Sequence, residues 1–390
     1  MQISGNYILN LKFGENIVEI NPQMIEDFAI SQDIDRLLPT FKLSLRDATK
    51  LLAEKVPYDK NSNKVQIELC RGSDSTELNV FDFAVKRRNA VSPDDIYTIE
   101  GVLDIDEIIT QIRSKYYTGN IKTNLTTIAS SLGINSTEIG ASLSYEKSFL
   151  QPYWTDGKLL RYLKNELIGK NQEAGYYCFL KVVRGEVILV FKSLDELLAS
   201  SVKFNLMVSP KEYEDFYPVS NYRIYDNSQL LADFGAKTQT YKYFNYTTAQ
   251  HIEAEIDIED CPTLSEFILQ DKDRVNSSFL YTGTGRSNDF TADFEGRVRN
   301  DFYLRSNNNI YMWASTWGIQ NIAPGDIVQM MFGEAYNQGD LFVYQHSGLW
   351  MVKRVVHVIG DTFLTNLMLC RAGIDTDIEN SLKESVNRMR

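Results

Sequence analysis

Apolar and polar residues alternate at period two through Pro39–Asp47 (PTFKLSLRD), Lys64–Cys70 (KVQIELC), Leu78–Val85 (LNVFDFAV) and Tyr97–Leu103 (YTIEGVL), with turn-forming clusters between the runs. Residues 1–113 therefore read as a β-rich module, with a short helix expected over Asp47–Glu54. The period then becomes helical. Thr123–Leu132 ends at Gly133, and Asp156–Gly169 places Leu159, Leu160, Leu163, Leu167 and Ile168 on one apolar face. Asp156 is the expected N-cap of the second helix and Gly169 its expected C′ residue. A hairpin follows, Tyr176–Val183 and Glu186–Lys192 around Arg184-Gly185, and Ser193-Leu194-Asp195-Glu196 fits a capping box. Residues 114–202 thus read as an α+β connecting domain.

The strand signal returns in Asn309–Trp317, Asp326–Phe332, Leu341–Gln345, Leu349–Val358 and Thr362–Cys370. Turns such as Ala323-Pro324-Gly325-Asp326 and Gly360-Asp361 make an antiparallel meander closing into a barrel the economical expectation. We assign 203–239 and 292–372 to this second barrel and 240–291 to an inserted subdomain. In the tail, 373–390, Ile378, Leu382, Val386 and Met389 fall on one side at helical spacing. That helix either docks on its own domain or offers a handle to a partner. The fold class expected from the pattern is α+β: two β-rich modules, the second closing into a barrel, flanking an α+β connecting domain, with a small insertion.

The chain of 390 residues carries 40 Lys plus Arg against 52 Asp plus Glu, a formal charge of −12. Such a balance argues against gripping nucleic-acid phosphates, an affinity that comes largely from cationic side chains releasing counterions. It leaves room for nucleic acid sliding past. A hydrophobic fraction of 43%, with 22 Tyr and 20 Phe, is ample for packed cores and excludes disorder as the main state. Apolar runs such as Val187–Phe191 and Val355–Ile359 fall far short of the ~20 residues of a membrane-spanning helix. Met1–Leu11 lacks the basic and apolar regions of a secretion signal, which places synthesis in the cytoplasm. Cys70, Cys178, Cys261 and Cys370 form no C-x-x-C and read as reduced, small buried hydrophobes.

Candidate chemistry is sparse. His251, His346 and His357 belong to no metal-binding motif, although His346 and His357 fall on neighbouring expected strands. Gly283-Thr284-Gly285 is a partial phosphate-loop pattern without its third glycine or an apolar helix behind it. The clusters Asp104-Asp106-Glu107 and Asp257-Glu259-Asp260 could supply a glycosidase carboxylate pair, but alternating acids are more often a solvated face. Lys86-Arg87-Arg88 is the main local basic run, with Arg297-Val298-Arg299 weaker, and neither has the breadth of a nucleic-acid footprint. No catalytic, cofactor-binding or metal-binding residue is expected.

Gln151-Pro152-Tyr153-Trp154-Thr155-Asp156, the following helix LLRYLKNELI and the hairpin YYCFLKVVRGEVILVF resemble the middle domain of the baseplate hub protein of T-even-type contractile-tailed phages. The late segments ASTWGIQNIAPGDIVQMMF and GLWMVKRVVHVIGDTFLTNLMLCRAG are similar to that family's second tube domain. The resemblance implies a homotrimer whose two similar tube-like β-barrel domains per chain make a pseudo-sixfold ring, adapting a three-fold central spike to a six-fold tail tube, so residues 1–113 should superpose on a composite of 203–239 and 292–372, although their sequences barely resemble each other. It implies as partners the spike, a tail tube or tube-initiator protein, a tape-measure protein and baseplate wedge proteins, with DNA passing through unbound. It implies no cofactor and a virion location, in the tail baseplate, after assembly in the host cytoplasm. An acidic channel wall would suit it, since carboxylates repel DNA phosphates. Its rivals are a hub or distal tail protein of a non-contractile phage and, from another class, a carbohydrate-active hydrolase using an acidic pair.

Overall fold

The computed structural model describes residues 7–13, 16–19, 22–46, 63–71, 78–91, 96–171, 173–209, 215–227, 238–245, 250–257, 282–285, 299–305, 307–333, 343, 345–360 and 362–373. The first module contributes strands β1 (Tyr7–Phe13), β2 (Asn16–Glu19), β3 (Ile25–Asp33), β4 (Thr40–Arg46), β5 (Lys64–Arg71), β6 (Asn79–Val91) and β7 (Ile96–Leu103). After them come helix α1 (Glu107–Thr110), β8 (Ile112–Tyr117), α2 (Ile121–Ser131), β9 (Ser136–Ile139), β10 (Phe149–Thr155), α3 (Asp156–Glu166), the hairpin β11 (Tyr177–Val183) and β12 (Glu186–Lys192), and α4 (Leu194–Leu198). The rest is β13 (Val202–Val208), β14 (Tyr217–Asp226), β15 (Thr238–Asn245), β16 (Gln250–Asp257), β17 (Thr282–Gly285), β18 (Ile310–Trp317), β19 (Ile327–Phe332), β20 (Gly348–Ile359) and β21 (Phe363–Arg371).

Six strands close on themselves. β13 pairs with β19, β19 with β20, β20 with β21, β21 with β18, β18 with β14, and β14 with β13. Strict alternation explains why these residues make barrel staves: in β18, Ile310, Met312, Ala314 and Thr316 are buried and the residues between them are not. The enclosed core is apolar, with Leu206, Met330, Trp350, Val352, Leu367 and Leu369 packed together.

The first module repeats this ladder without repeating its sequence. Its order β3-β4-β7-β6-β5 is the order β14-β18-β21-β20-β19, antiparallel at each step in both. The irregularities also coincide. The β6–β7 register breaks between Val85 and Arg87 and the β20–β21 register between Val352 and Arg354, so Lys86 and Lys353 are the extra residues of matching bulges. The β3–β4 break between Ile25 and Asp27 likewise matches the β14–β18 break between Val219 and Asn221. Setting Lys86 on Lys353 brings Val85-Lys86-Arg87 onto Val352-Lys353-Arg354 and Val65-Gln66 onto Val328-Gln329. It also equates two opposed polar pairs, Ser44 with Thr98 at 2.9 Å and Ser315 with Asn366 at 2.7 Å. The sixth strand differs, since β1 is antiparallel to β5 whereas β13 is parallel to β19.

The two sheets are one. β3 pairs with β20 in antiparallel register from Arg354 opposite Asp33 to Val358 opposite Ala29. β15, β16 and β17 form a separate three-stranded sheet between β14 and β18, where the first module has only the short turn from Ile34 to Pro39 between β3 and β4. The connecting segment packs β11, β12 and β9 beneath both modules, and three buried amides tie the parts together. Gln32 Oε1 accepts from Val182 N at 2.8 Å, and Asn79 Nδ2 donates to Gln320 O at 2.8 Å while its Oδ1 accepts from Gly185 N at 3.0 Å. Asn300 Oδ1 accepts from Gly175 N (2.7 Å) and Tyr176 N (3.2 Å), and its Nδ2 donates to Asn165 O and Leu167 O, both at 2.9 Å.

Several local expectations need correction. Thr155, not Asp156, caps α3, its side chain accepting from Lys158 N. Asp156 lies in the first turn, fully buried, where its carboxylate accepts from Gln151 Nε2 at 2.9 Å. The helix stops at Glu166, with Leu167 already extended as the C-cap, so Gly169 is not its C′ residue. The expected strand Leu341–Gln345 is not one where it is described: Val343 is helical and 345–346 form a turn. Gly283-Thr284-Gly285 lies within β17, paired in parallel with β15, and is no phosphate loop. The capping box at Ser193 and Glu196 is present, and so is the β11–β12 turn, with Arg184 at φ 53° and Gly185 at φ 80°, the two positive-φ positions of a tight hairpin. The expected helix over Asp47–Glu54 lies outside the described residues, as does the tail helix with Ile378, Leu382, Val386 and Met389.

Candidate functional site

The feature with most functional content is the continuous antiparallel run β14-β18-β21-β20-β3-β4-β7-β6, which crosses both modules. Its inner face feeds the cores and its outer face is solvated. Because alternation fixes which residues point outward, the outer charges follow from the strand sequences. They pair locally: Lys42 with Asp27 at 2.7 Å, Arg46 with Glu26 at 2.8 Å, Arg87 with Glu100 at 3.7 Å, and Arg354 with Asp33 at 3.5 Å. The hydrogen bond to Asp27 holds the Lys42 ammonium above its ordinary pKa. Arg223 stacks over Tyr225 at 5.9 Å and donates to its hydroxyl at 3.2 Å. Exposed pairs of this kind add little stability, about 0 to 1 kcal/mol each. Their effect is a face on which positive and negative groups sit side by side.

The seam between β20 and β3 carries its own polar contacts. Arg354 Nε donates to Ser31 Oγ at 3.1 Å, and Lys353 Nζ lies 3.0 Å from Asp35 Oδ2. At the far end of β14, Asp226 Oδ2 sits 3.8 Å from His346 Nε2, while His346 Nδ1 meets Arg371 Nη2 at 3.3 Å. An arginine can only donate, so His346 Nδ1 accepts and its proton resides on Nε2, toward Asp226. Burial and Arg371 lower the His346 pKa to about 4, and burial lowers that of His357 to about 4. Both imidazoles are neutral near pH 7. His346 lies in the turn before β20, whereas His357 is on β20 among Thr365, Phe81 and Phe363, so the two do not converge as neighbouring-strand residues. His251 is on β16.

Among the described residues of the first acidic cluster, each carboxylate is engaged by a cation. Asp104 is 2.6 Å from Lys64 Nζ, Asp106 is bonded by Lys86, and Glu107 lies 3.9 Å from Arg113. Asp257 ends β16, and Glu259 and Asp260 lie outside the described residues. Cys70, Cys178 and Cys370 are buried thiols outside any disulfide, burial pushing the last two up to about 12, so neither of those is a thiolate at neutral pH. Cys261 is outside the described residues.

A second surface was missed in the sequence. Ile112, Tyr116, Leu150 and Tyr153 are 63%, 63%, 53% and 79% exposed on the two-stranded β8–β10 ribbon, with Ile109 of α1 beside them. The signal was the segment Gln151–Asp156 itself. The ribbon bulges between Gln151 and Trp154, Tyr153 takes φ 51°, and Trp154 turns back onto Tyr162 and Lys158. An apolar strip held out by such a bulge is the chemistry of a contact surface. No helix of the described residues is long and apolar enough to cross a membrane.

No protein-family model matches the sequence. No curated protein matches it either. Solved structures match over nearly the whole chain. The tail protein of Neisseria meningitidis MC58 aligns at TM-score 0.59 and 10% identity, over 95% of this chain and 98% of that one. The 43 kDa tail protein of prophage MuSo2 from Shewanella oneidensis aligns at TM-score 0.60 and 11% identity, over 94% and 99%. A type VI secretion system component of E. coli, itself described as similar to T4 bacteriophage tail proteins, aligns at TM-score 0.50 and 8% identity, over 93% and 76%. At these identities the likeness is one of fold: this chain has the fold of phage tail proteins, mostly β with barrel modules and a few helices.

Proposed function

We propose that the chain is a structural baseplate hub of a phage tail, a homotrimer that adapts a three-fold central spike to a six-fold tail tube and lines the channel through which DNA leaves. The observation that carries this reading is the repeated ladder. Two modules with the same strand order, joined edge to edge by β3 and β20, give each chain two near-equivalent positions, which is what a three-chain ring needs to present six. The charge-balanced outer face supports passage of DNA, because local ion pairs leave no basic stripe for phosphates to grip. Its partners in this reading are the spike, the tail tube or tube initiator, the tape-measure protein and the baseplate wedges, with the apolar β8–β10 ribbon as a contact surface. The protein acts in the virion tail after assembly in the host cytoplasm, carries no cofactor and is not an enzyme. The fold shared with the type VI component favours one variant, a hub of a related contractile injection machine.

Electron cryomicroscopy of the purified chain, alone and mixed with candidate spike protein, tests the reading. A three-fold ring of six similar barrels around an open channel is the expected result. A monomer under both conditions, with polysaccharide turnover lost on Asp104→Asn, would overturn it in favour of the hydrolase.

A further inference from the structure

The β8–β10 ribbon buries one face and keeps the other apolar as well. Tyr117, Phe149 and Gln151 are buried on the core side, whereas Tyr116 and Leu150, opposite each other in the register, and Ile112 are exposed on the outer side. A ribbon with one solvated face ordinarily turns polar residues outward. This one is also fixed in shape. Gln151 Nε2 donates to Trp154 O at 2.8 Å and to Asp156 Oδ1 at 2.9 Å, and Tyr117 Oη donates to Gln151 Oε1 at 3.2 Å, so a buried network sets the bulge that holds Tyr153 out. Ile109 extends the strip from α1, which packs against β10 and α3.

We infer that residues 378–389 form an amphipathic helix that lies along this ribbon in the same chain and so closes the apolar strip to other partners. Ile378, Leu382, Val386 and Met389 fall within about 80° of arc at helical spacing. Their stripe is about 16 Å long, and the strip from Ile112 to Tyr116 runs about 14 Å, so the two match in length. Of the two roles the tail pattern allows, this is docking on its own chain, with the seat named. It goes beyond the ring reading and does not depend on it, since the contact is made within one chain.

Reach and charge agree. The described residues stop at Gly373, just after Ala372, which packs with Ala174 and Phe302. Asn300, on the same helical segment as Phe302, bridges that region to the end of α3 through Asn165 O and Leu167 O. The ribbon lies at the start of α3, about 16 Å away along its 11 residues. Residues 374–377 extended, followed by 378–389 as helix, reach about 30 Å. In a chain of net charge −12, residues 112–164 carry seven Lys and Arg against three Asp and Glu, of which Asp156 is buried. Lys158 and Arg161 are exposed on α3 along that path, and Lys115 is exposed on the ribbon. The tail carries Asp375, Asp377, Glu379 and Glu384 ahead of its basic end, so its acids run beside these cations, where unlike charges attract. Acids at the start of the helix also suit its dipole.

The test places the photo-crosslinker p-benzoylphenylalanine at Tyr153 of the full chain and maps the products of irradiation by mass spectrometry. The expected result is a crosslink, within a single chain, to the peptide 374–390. Removing residues 374–390 should speed hydrogen exchange of 112–117 and 149–155 about tenfold and raise the binding of a hydrophobic dye several-fold, with exchange in β18 and β20 unchanged. Leu382→Glu should act like the removal, and Asn380→Glu, on the far side of the helix, should not. A crosslink to the tail of a second copy would overturn docking within the chain. Crosslinks elsewhere, or unchanged exchange after removal, would overturn the contact altogether. Exchange that rises equally in β18 and β20 would make the tail a general stabiliser of the fold and reject the ribbon as its seat. The oligomeric state, read separately by native mass spectrometry, bears on the ring alone.

Discussion

The indole Nε1 of Trp350 donates to the main-chain carbonyl of His346 at 3.0 Å, which ties the start of β20 to the turn before it. Trp350 is 1% exposed, and Arg371 lies over its ring at 4.3 Å. Replacing it with Asp removes the indole from the closed barrel core and buries a carboxylate in its place, and should cost about 3 kcal/mol or more. Trp350→Phe keeps most of the volume but strands a buried carbonyl, with an expected loss of about 1 to 3 kcal/mol. Chemical denaturation of the two variants checks the order, and equal stabilities would contradict it.

Asn300 makes four hydrogen bonds from one buried side chain, joining the helical segment 299–305 to the end of α3 and the entry to β11. Asn300→Ala should destabilise by about 2 to 4 kcal/mol, because two amide donors and two carbonyls lose their partner in a dry site. Limited proteolysis should then cut first near residues 299–305. Unchanged cleavage kinetics would show that the clamp is dispensable.

At α4, Ser193 Oγ accepts from Glu196 N at 3.3 Å, Glu196 Oε2 accepts from Ser193 N at 3.0 Å, and Oε1 reaches Ser142 N at 3.0 Å. Ser193→Ala should cost about 1 kcal/mol. Glu196→Ala should cost more, since it releases two backbone N–H groups in separate parts of the connecting segment. Paired thermal melts decide the ranking.

His357 is buried and its pKa is lowered to about 4. Its folded pKa lies below the unfolded value of roughly 6.5, so the unfolded chain takes up a proton that the folded chain refuses. The stabilising contribution is complete above about pH 6.5, declines as the pH falls and levels off below about pH 4, a span of about 3 kcal/mol for a fully buried imidazole. His357→Phe should therefore flatten the loss of stability between pH 6.5 and 4. The same slope in both proteins would refute the assignment.

Much of the strand pattern was legible because one-sided burial writes period-two alternation directly into the sequence, as in β4, β7 and β18. The helix at α3 was legible too, but its cap was displaced by one residue. Asp156 has the chemistry of a cap, yet its carboxylate is spent on Gln151 and lies near Arg113, a tertiary demand that local sequence cannot report. β14 was hidden for a different reason: it is half exposed, rich in Tyr and polar residues, and interrupted by a bulge. The likeness of the two modules was expected from the family resemblance and not from matching letters, because it survives mainly as backbone geometry. In letters it is carried by Val-Lys-Arg at 85–87 and 352–354, Val-Gln at 65–66 and 328–329 and scattered single matches such as Ile30 with Ile224 and Ser44 with Ser315, and three residues in a row carry no weight until the bulges align them. Ion pairing on the outer face was equally illegible, since net charge does not say which side of a strand each charge occupies.

The three-stranded sheet of β15, β16 and β17 interrupts only one of the two repeats, between β14 and β18. Once a module exists twice in one polypeptide, the copies no longer share a single evolutionary fate. A change in one leaves the other untouched, whereas in an assembly of identical single-module chains every position would change together. Doubling within the chain is thus a source of alternation: one module can keep the plain turn from Ile34 to Pro39, while its twin grows an appendage that appears at every second position of any ring the chains form.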